Sequence, residues 1–436
     1  MRTKFILLVV TLARACPLCT TAAVIGTNPA SHPLTAERIA TLPVGEQPAW
    51  REYLARSVAA RAADQKFLGN EIKALGGPLP VVPLTVGRIP RLSAARPAEW
   101  FTTTDARKMA DNVITFQTPA GGWSKNFNAA DHARQPGEAF APHSNLSRFL
   151  TPGDNDQPAD SGWSYIGTFD NDATIGELRF LAKVIAANPE GKISAPWRAA
   201  FARGLSYIFA AQYPHGGWPQ SYPLDGGYHD AVTFNDNAFS NIVTLLHDIA
   251  DGKNEFAFTT PDQRTRASAS AARGIACILR AQIVINGRLT VWCQQHDPLT
   301  LAPASARNYE MPSKSGSESA NLALFLMQLP SPSPEIVRAV HAAAAWFEQT
   351  ALRDVAFTAA PDGSGRKLQP APGAGPIWAR YYDLKTDRPI FGDRDKTIHD
   401  DVNEISAERR KGYSWFGNTA KRMLDHYAKW AKAHPR

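Results

Sequence analysis

A helical run that ends in glutamine and gives way to a Gly-Trp turn occurs three times along this chain. Met109 to Gln117 leads to Gly121-Gly122-Trp123, and Phe201 to Gln212 leads to Gly216-Gly217-Trp218. More loosely, Ala271 to Gln282 leads to Gly287 and Trp292. Each turn opens a long polar loop, after which a second helix begins: at Asp170-Asn171-Asp172-Ala173, at Asn235-Asp236-Asn237-Ala238 and at Ser317-Glu318-Ser319-Ala320. A fourth pair is expected in Ser333 to Leu352 and Asn418 to His434. Asp, Asn and Ser at such starts accept hydrogen bonds from the unpaired N–H groups of a first helical turn. The runs behind them, such as Ile175 to Ile185 and Ala320 to Met327, are apolar on nearly every face, which marks helices buried among other helices. Repeated hairpins of this kind close into an all-α, α/α toroid-like domain of inner and outer helices. Its long loops gather at one end and form a cleft. Strand signals are sparse, Arg288 to Cys293 being the best.

The ends differ from this body. Two cations within Met1 to Lys4, the apolar run Phe5 to Leu12 and small residues at Thr20 to Ala23 read as a secretory signal peptide over residues 1–23. The apolar run is too short to span a bilayer, and no later stretch is long enough. A secreted or periplasmic protein is therefore expected, with no membrane contact once the leader is gone. Residues 24–95 read as an N-terminal helical region, with Trp50, Tyr53, Leu54 and Val58 at helical spacing, followed by a proline-broken linker; residues 96–436 form the main domain. The net charge of +7 becomes +4 without Arg2, Lys4 and Arg14 (7 − 3 = 4). That modest excess suits an acidic polymer. There is no Lys/Arg-rich run and no zinc-finger spacing, so nucleic acid is not an expected partner. A monomer is expected. Cys16 and Cys19 leave with the leader, and for the remaining Cys277 and Cys293 both a disulfide and two buried thiols stay open.

Several polar segments interrupt the helical pattern. Thr168-Phe169-Asp170-Asn171-Asp172 and Thr233-Phe234-Asn235-Asp236-Asn237 align on their phenylalanines, so that each Asp faces an Asn and each Asn an Asp. Such a mixed oxygen set suits a hard cation such as calcium. It also suits plain helix capping, and the positive end of a helix dipole disfavours a cation. Arg307, in Arg307-Asn308-Tyr309-Glu310, is either a functional cation or a structural partner of Glu310 or Asp297. Lys125 follows a tight Gly-Gly-Trp turn, where a solvated lysine is the plainer reading. Arg380 and Arg394 flank Tyr381-Tyr382-Asp383 and Phe391-Gly392-Asp393. Cations among aromatic rings suit a carboxylated sugar, and an ion-pair network with Asp383, Asp393 and Asp395 suits the same residues. Asp170, Asp172, Asp230 and Asp236 also offer an acid and a base for glycoside hydrolysis on an α/α toroid.

Taken in order, six motifs resemble the pectate lyases of the tenth polysaccharide lyase family. They are Gly121-Gly122-Trp123-Ser124-Lys125-Asn126; Thr168-Phe169-Asp170-Asn171-Asp172-Ala173-Thr174; Gln212-Tyr213-Pro214 with Gly216-Gly217-Trp218-Pro219-Gln220; Thr233-Phe234-Asn235-Asp236-Asn237-Ala238; Ala306-Arg307-Asn308-Tyr309-Glu310-Met311-Pro312-Ser313; and Arg380-Tyr381-Tyr382-Asp383-Leu384. The resemblance runs from about residue 97 to 418 and omits the N-terminal region; Lys314 stands where the family pattern is more apolar. It implies a toroid-like catalytic domain that cleaves polygalacturonate, the backbone of pectin, by calcium-assisted β-elimination. By motif, Asp170, Asn171 and Asp236 would hold calcium and Arg307 would be the base. Lys125, Arg380, Tyr382 and Arg394 would meet the substrate. Asp172, two positions from Asp170, is the competing ligand.

Overall fold

The computed structural model describes residues 24–79, 96–141, 150, 153–157 and 160–435; the expected leader lies outside them. Its helices are α1 (Ala36–Ile39), α2 (Gln47–Leu75), α3 (Thr104–Thr115), α4 (Ile175–Ala187), α5 (Gly191–Ala211), α6 (Ala238–Asp251), α7 (Pro261–Ala281), α8 (Ser317–Gln328), α9 (Pro334–Gln349), α10 (Ala407–Gly412) and α11 (Thr419–Ala433). The pairs α3/α4, α5/α6, α7/α8 and α9/α11 are successive hairpin repeats, and they form an arc. Within it α4 packs on α3 and α5, α6 on α4 and α7, and α8 on α9 and α11. The second members α4, α6 and α8 are largely buried and form the inner layer, whereas α11 buries only Ala420 and Met423; the arrangement is consistent with a helical toroid. None of the helices among the described residues is long and apolar enough to cross a membrane.

The repeated glutamine explains how one outer helix is fastened to the next. The same amide bonding recurs in all three copies: Gln117 Nε2 donates to the carbonyls of Gly121 and of Ala200 on α5, both at 2.8 Å. Gln212 donates to Gly216 and to Ser270 on α7, both at 3.0 Å. Gln282 donates to Thr290 at 2.9 Å and to Ala339 on α9 at 3.0 Å. The tryptophans tie each turn back to its own outer helix, through Trp123 Nε1 to Val113, Trp218 to Ile208 and Trp292 to Ile278. Trp378 repeats the bond with Phe347, which marks a fourth copy whose Gly-Trp signature is missing from the sequence. Gly121 and Gly216 have φ of +106° and +99°, and a Cβ on either would meet the carbonyl oxygen of Arg203 or Arg273. Glycine is required at both turns for conformation and for space.

The second helices position the site. The expected side-chain caps do not form: Thr174 and Asn237, the N-cap residues of α4 and α6, make no side-chain cap bond. Instead each segment makes a tight left-handed turn before the helix. Asn171 and Asp172 have φ of 54° and 66°, and Asp236 and Asn237 have 51° and 62°. Asn and Asp tolerate this region best among non-glycine residues. The same left-handed turn thus precedes the inner helix in both repeats.

Short strands fasten the loops. Val232–Thr233, Gln295–His296 and Pro303–Ala304 make one sheet, and Lys314–Ser315 pairs with Tyr381–Tyr382. Of the strand expected at Arg288 to Cys293, only Arg288–Leu289 forms, as half of a hairpin with Val284–Ile285. The longest strands, Val355–Ala359 and Arg366–Pro370, give no alternating pattern and went unread. Residues 24–79 share the main core through Leu34, Ile39, Trp50 and Tyr53. Tyr53 Oη donates to Ala211 O at the end of α5, and Val24–Thr27 pairs antiparallel with Thr397–His399. Cys277 and Cys293 are both buried free thiols.

Candidate active site

The pre-helix turns of the first two repeats touch each other. Asp170 and Asp236 feel each other's charge across that contact. Burial, reinforced by Asp170, pushes the Asp236 carboxyl up to about 6, against the opposing pull of Arg380. For Asp170 burial again acts upward, but the Lys125 ammonium wins and holds the carboxyl below its ordinary value. Lys125 Nζ lies 2.5 Å from Asp170 Oδ2 and 3.4 Å from the centroid of the Tyr165 ring. Asn171 is exposed at the tip of its turn. Asp172, the competing ligand, turns away: its Oδ1 accepts a hydrogen bond from Asn241 on α6.

Arg307 stands at the start of a reverse turn in which the Glu310 N–H donates to the Arg307 carbonyl at 2.8 Å. Its guanidinium is gripped by Glu310, with Nε at 3.0 Å from Oε2 and Nη2 at 2.6 Å from Oε1. Of the two structural partners considered, Glu310 is therefore the real one, and Asp297 pairs with Arg38. Tyr413 Oη also donates to Glu310, at 2.6 Å. Burial raises the Glu310 pKa, but Arg307 overrides it and brings the carboxyl down to about 2. Reciprocally, burial works against the Arg307 charge, yet Glu310 holds its pKa well above the ordinary value. This bidentate grip uses Nε and Nη2 and orients the guanidinium. Nη1 makes no hydrogen bond to the described residues, and the side chain keeps 32% exposure.

The remaining expected contacts divide. Arg380 lies between the two sets: its Nη2 donates to Glu318 at 2.9 Å, Gln294 at 3.0 Å and Asn235 at 3.1 Å. Arg394 sits at the rim, paired with Glu408 at 2.9 Å and 5.6 Å from the Tyr309 ring centroid. Of the aspartates expected in a structural network, Asp393 accepts from the Arg394 backbone N–H and from Ser406, and Asp383 accepts from its own turn. Tyr382, expected at the substrate, lies in the core. It is fully buried, its hydroxyl accepts from the Ala379 N–H, and its ring packs on Trp346. Alternation along Tyr381–Tyr382 explains this, because adjacent residues of a strand face opposite sides. Tyr381, its neighbour, faces the site, donating to Gln294 at 2.7 Å.

Sequence reading missed Glu318 and a chain of buried groups behind Lys125. Glu318 occupies in the third repeat the place of Asn171 and Asp236 in the first two, so the same alignment extended by one repeat finds it. The other set is Tyr165 Oη with Tyr228 Oη at 2.8 Å, and Tyr228 Oη to Asp156 Oδ1 at 2.8 Å. No repeat marks it, since all three residues lie in loops. Of the carboxyls offered for glycoside hydrolysis, Asp230 is tied to the N–H groups of Leu34 and Gly226 and Asp172 to Asn241.

Comparison with known proteins agrees with this geometry. The profile of the pectic acid lyase family matches residues 117–424. A mutant of a family 10 polysaccharide lyase from Cellvibrio cellulosa, solved in complex with trigalacturonic acid, is 32% identical with a TM-score of 0.62; the match covers 82% of this chain and 100% of that one. Another structure of a family 10 polysaccharide lyase from Cellvibrio cellulosa is 34% identical with a TM-score of 0.62, over 78% of this chain and 99% of that one. Among curated proteins there is no match. The hairpin arc and its loop-borne site thus define a helical polysaccharide lyase. The chain belongs to the pectic acid lyase family, and is an enzyme of the pectate lyase type.

Proposed function

We propose that this enzyme cleaves α-1,4-linked polygalacturonate by calcium-assisted β-elimination with Arg307 as base, and that it works outside the cell as a secreted or periplasmic monomer of which residues 96–436 form the catalytic domain. The observation that carries the reading is the meeting of Asp170 and Asp236 in one buried field with Arg307. Burial, with the charge of Asp170 added to it, raises the Asp236 carboxyl there to about 6. Two carboxylates and the exposed Asn171 amide are hard oxygen donors whose mutual repulsion a divalent cation relieves. Among the described residues no set of three His, Cys, Asp or Glu side chains is grouped for a metal, so these three donors would need water or substrate oxygens to complete a coordination shell. When bound there, calcium supplies positive charge to the substrate carboxylate and to the enolate-like charge that grows on it.

The chain's own groups do the rest. Lys125 and Arg380, and Arg394 at the rim, supply cationic contacts to substrate carboxylates, and the bound trigalacturonic acid of the similar enzyme supports an acidic sugar as ligand. Arg307, held by Glu310, offers Nη1 to the C5 proton, which is acidified by the adjacent carboxylate. As that proton moves to Nη1, its electron pair forms the C4–C5 double bond and the C4–O4 bond breaks; the leaving oxygen takes a proton from water. A guanidinium must first lose a proton to act this way, so activity requires alkaline pH.

Arg307→Ala and Arg307→Lys test the base. Removal of a general base costs about 10²–10⁴-fold, and lysine retains the charge without the two-pronged geometry. Both variants should lose kcat severely, with near-normal melting and retained substrate binding. An Arg307→Ala enzyme keeping more than about a tenth of wild-type kcat contradicts the assignment.

A further inference from the structure

The loop that carries Arg307 is held by a residue from the far end of the chain. Asn28, only 1% exposed, points its amide at the backbone of that loop. Nδ2 donates to the Arg307 carbonyl at 2.9 Å and to the Asn308 carbonyl at 2.8 Å, using both amide hydrogens. The Arg307 carbonyl already accepts from the Glu310 N–H that closes the reverse turn. Asn28 therefore fills the second acceptor position of that oxygen and fixes the next one beside it. The residue is itself held. Its N–H donates to Lys396 O at 2.7 Å, Val24–Thr27 before it pairs with Thr397–His399, and the carbonyl of Pro29 after it accepts from Ser305 Oγ at 2.6 Å. The turn is thus braced from one side by Glu310 through the guanidinium and from the other by Asn28 through the main chain. The profile match begins at residue 117, so this brace lies outside the part of the chain that defines the family.

We propose that Asn28 is a positioning residue for Arg307, and that residues 24–29 form a strap that sets the orientation of the base. The inference rests on the reading of Arg307 as base. A misplacement of about 1 Å at a reacting group costs up to about 10²-fold in rate. Loss of both amide bonds by Asn28→Ala should therefore lower kcat on polygalacturonate about tenfold, with KM unchanged. Ser305→Ala, which removes a single bond from the Arg307 loop to the strap, should lower kcat less and in the same direction, and it serves if Asn28→Ala does not fold. Arg38→Ala cuts the α1 ion pair to Asp297 without touching either carbonyl; it should lower the melting temperature and leave kcat as it was.

Three results overturn the strap: wild-type kcat in the folded Asn28→Ala or Ser305→Ala enzyme, a rise in KM in place of the fall in kcat, or an equal loss of kcat in Arg38→Ala. Arg307→Ala measured alongside separates the two ideas. If it is inactive while Asn28→Ala is normal, only the strap fails. If it is active, the base assignment fails, and Asn28 has no base to position.

Discussion

Glu310 sets both the direction and the ionisation of Arg307. A buried carboxylate with two bonds to one guanidinium favours the charged form of each partner. That is good for orientation and bad for basicity, since the base has to be neutral. The sign of a substitution follows. Glu310→Gln removes a negative charge beside a cationic acid, so the Arg307 pKa falls and the rise of kcat with pH should move to lower pH. A lower plateau should accompany the shift, because the geometric grip is weakened. A pH–kcat profile unchanged in position would mean that Arg307 is not the group being titrated. The same pair affects stability in acid. The Glu310 carboxyl titrates at about 2 in the folded chain against 4.5 normally, so its contribution is complete above about 4.5 and is lost as pH falls towards 2. At this scale the sequence was partly legible. Repeats and motifs single out Asp170, Asn171, Asp236 and Arg307 as candidates. A motif does not say which face of a two-residue strand each of Tyr381 and Tyr382 takes.

Among the elements, the glutamine at the end of each outer helix carries the architecture. Gln212 is the best satisfied: besides its two donor bonds, its Oε1 accepts from Ser270 Oγ at 2.8 Å and from Arg273. Gln117 is similarly matched by Arg203. Among the described residues Gln282 has no such partner and its buried Oε1 is unsatisfied, because Ala342 stands where Arg203 and Arg273 stand in the earlier repeats. Removing a buried donor strands the carbonyls it served, at about 1–3 kcal/mol for each group left unsatisfied. Gln212→Ala should therefore destabilise by roughly 3 kcal/mol, and Gln282→Ala by clearly less, as read from denaturant midpoints. Equal losses would show that the donor bonds alone matter. The helices were legible because 3.6-residue periodicity and the Gln/Gly-Trp punctuation agree. The short strands were not, because two-residue ladders between distant loops leave no local pattern; the fourth repeat was obscured because its Trp378 follows a long strand-bearing insertion after α9.

For the molecule as a whole, the helical arc is a scaffold and the chemistry lies in the loops at the helix starts. Adjacent repeats deliver Asp170 with Asn171, then Asp236, then Glu318, to one place, while Arg307 arrives from the loop between α7 and α8. Residues 24–79 close over that side and join its core, a docking that composition and periodicity did not foretell because it depends on single hydrogen bonds such as that from Asn28. The central claim is that this assembly performs β-elimination with calcium held by Asp170, Asn171 and Asp236. The most direct measurement follows the ultraviolet absorbance of the unsaturated product on polygalacturonate at alkaline pH, before and after exhaustive chelation and again after calcium is restored. The account predicts a strong rise in absorbance, its abolition by chelator and its recovery with calcium. Cleavage without an ultraviolet-absorbing product, or full activity after chelation, would contradict it.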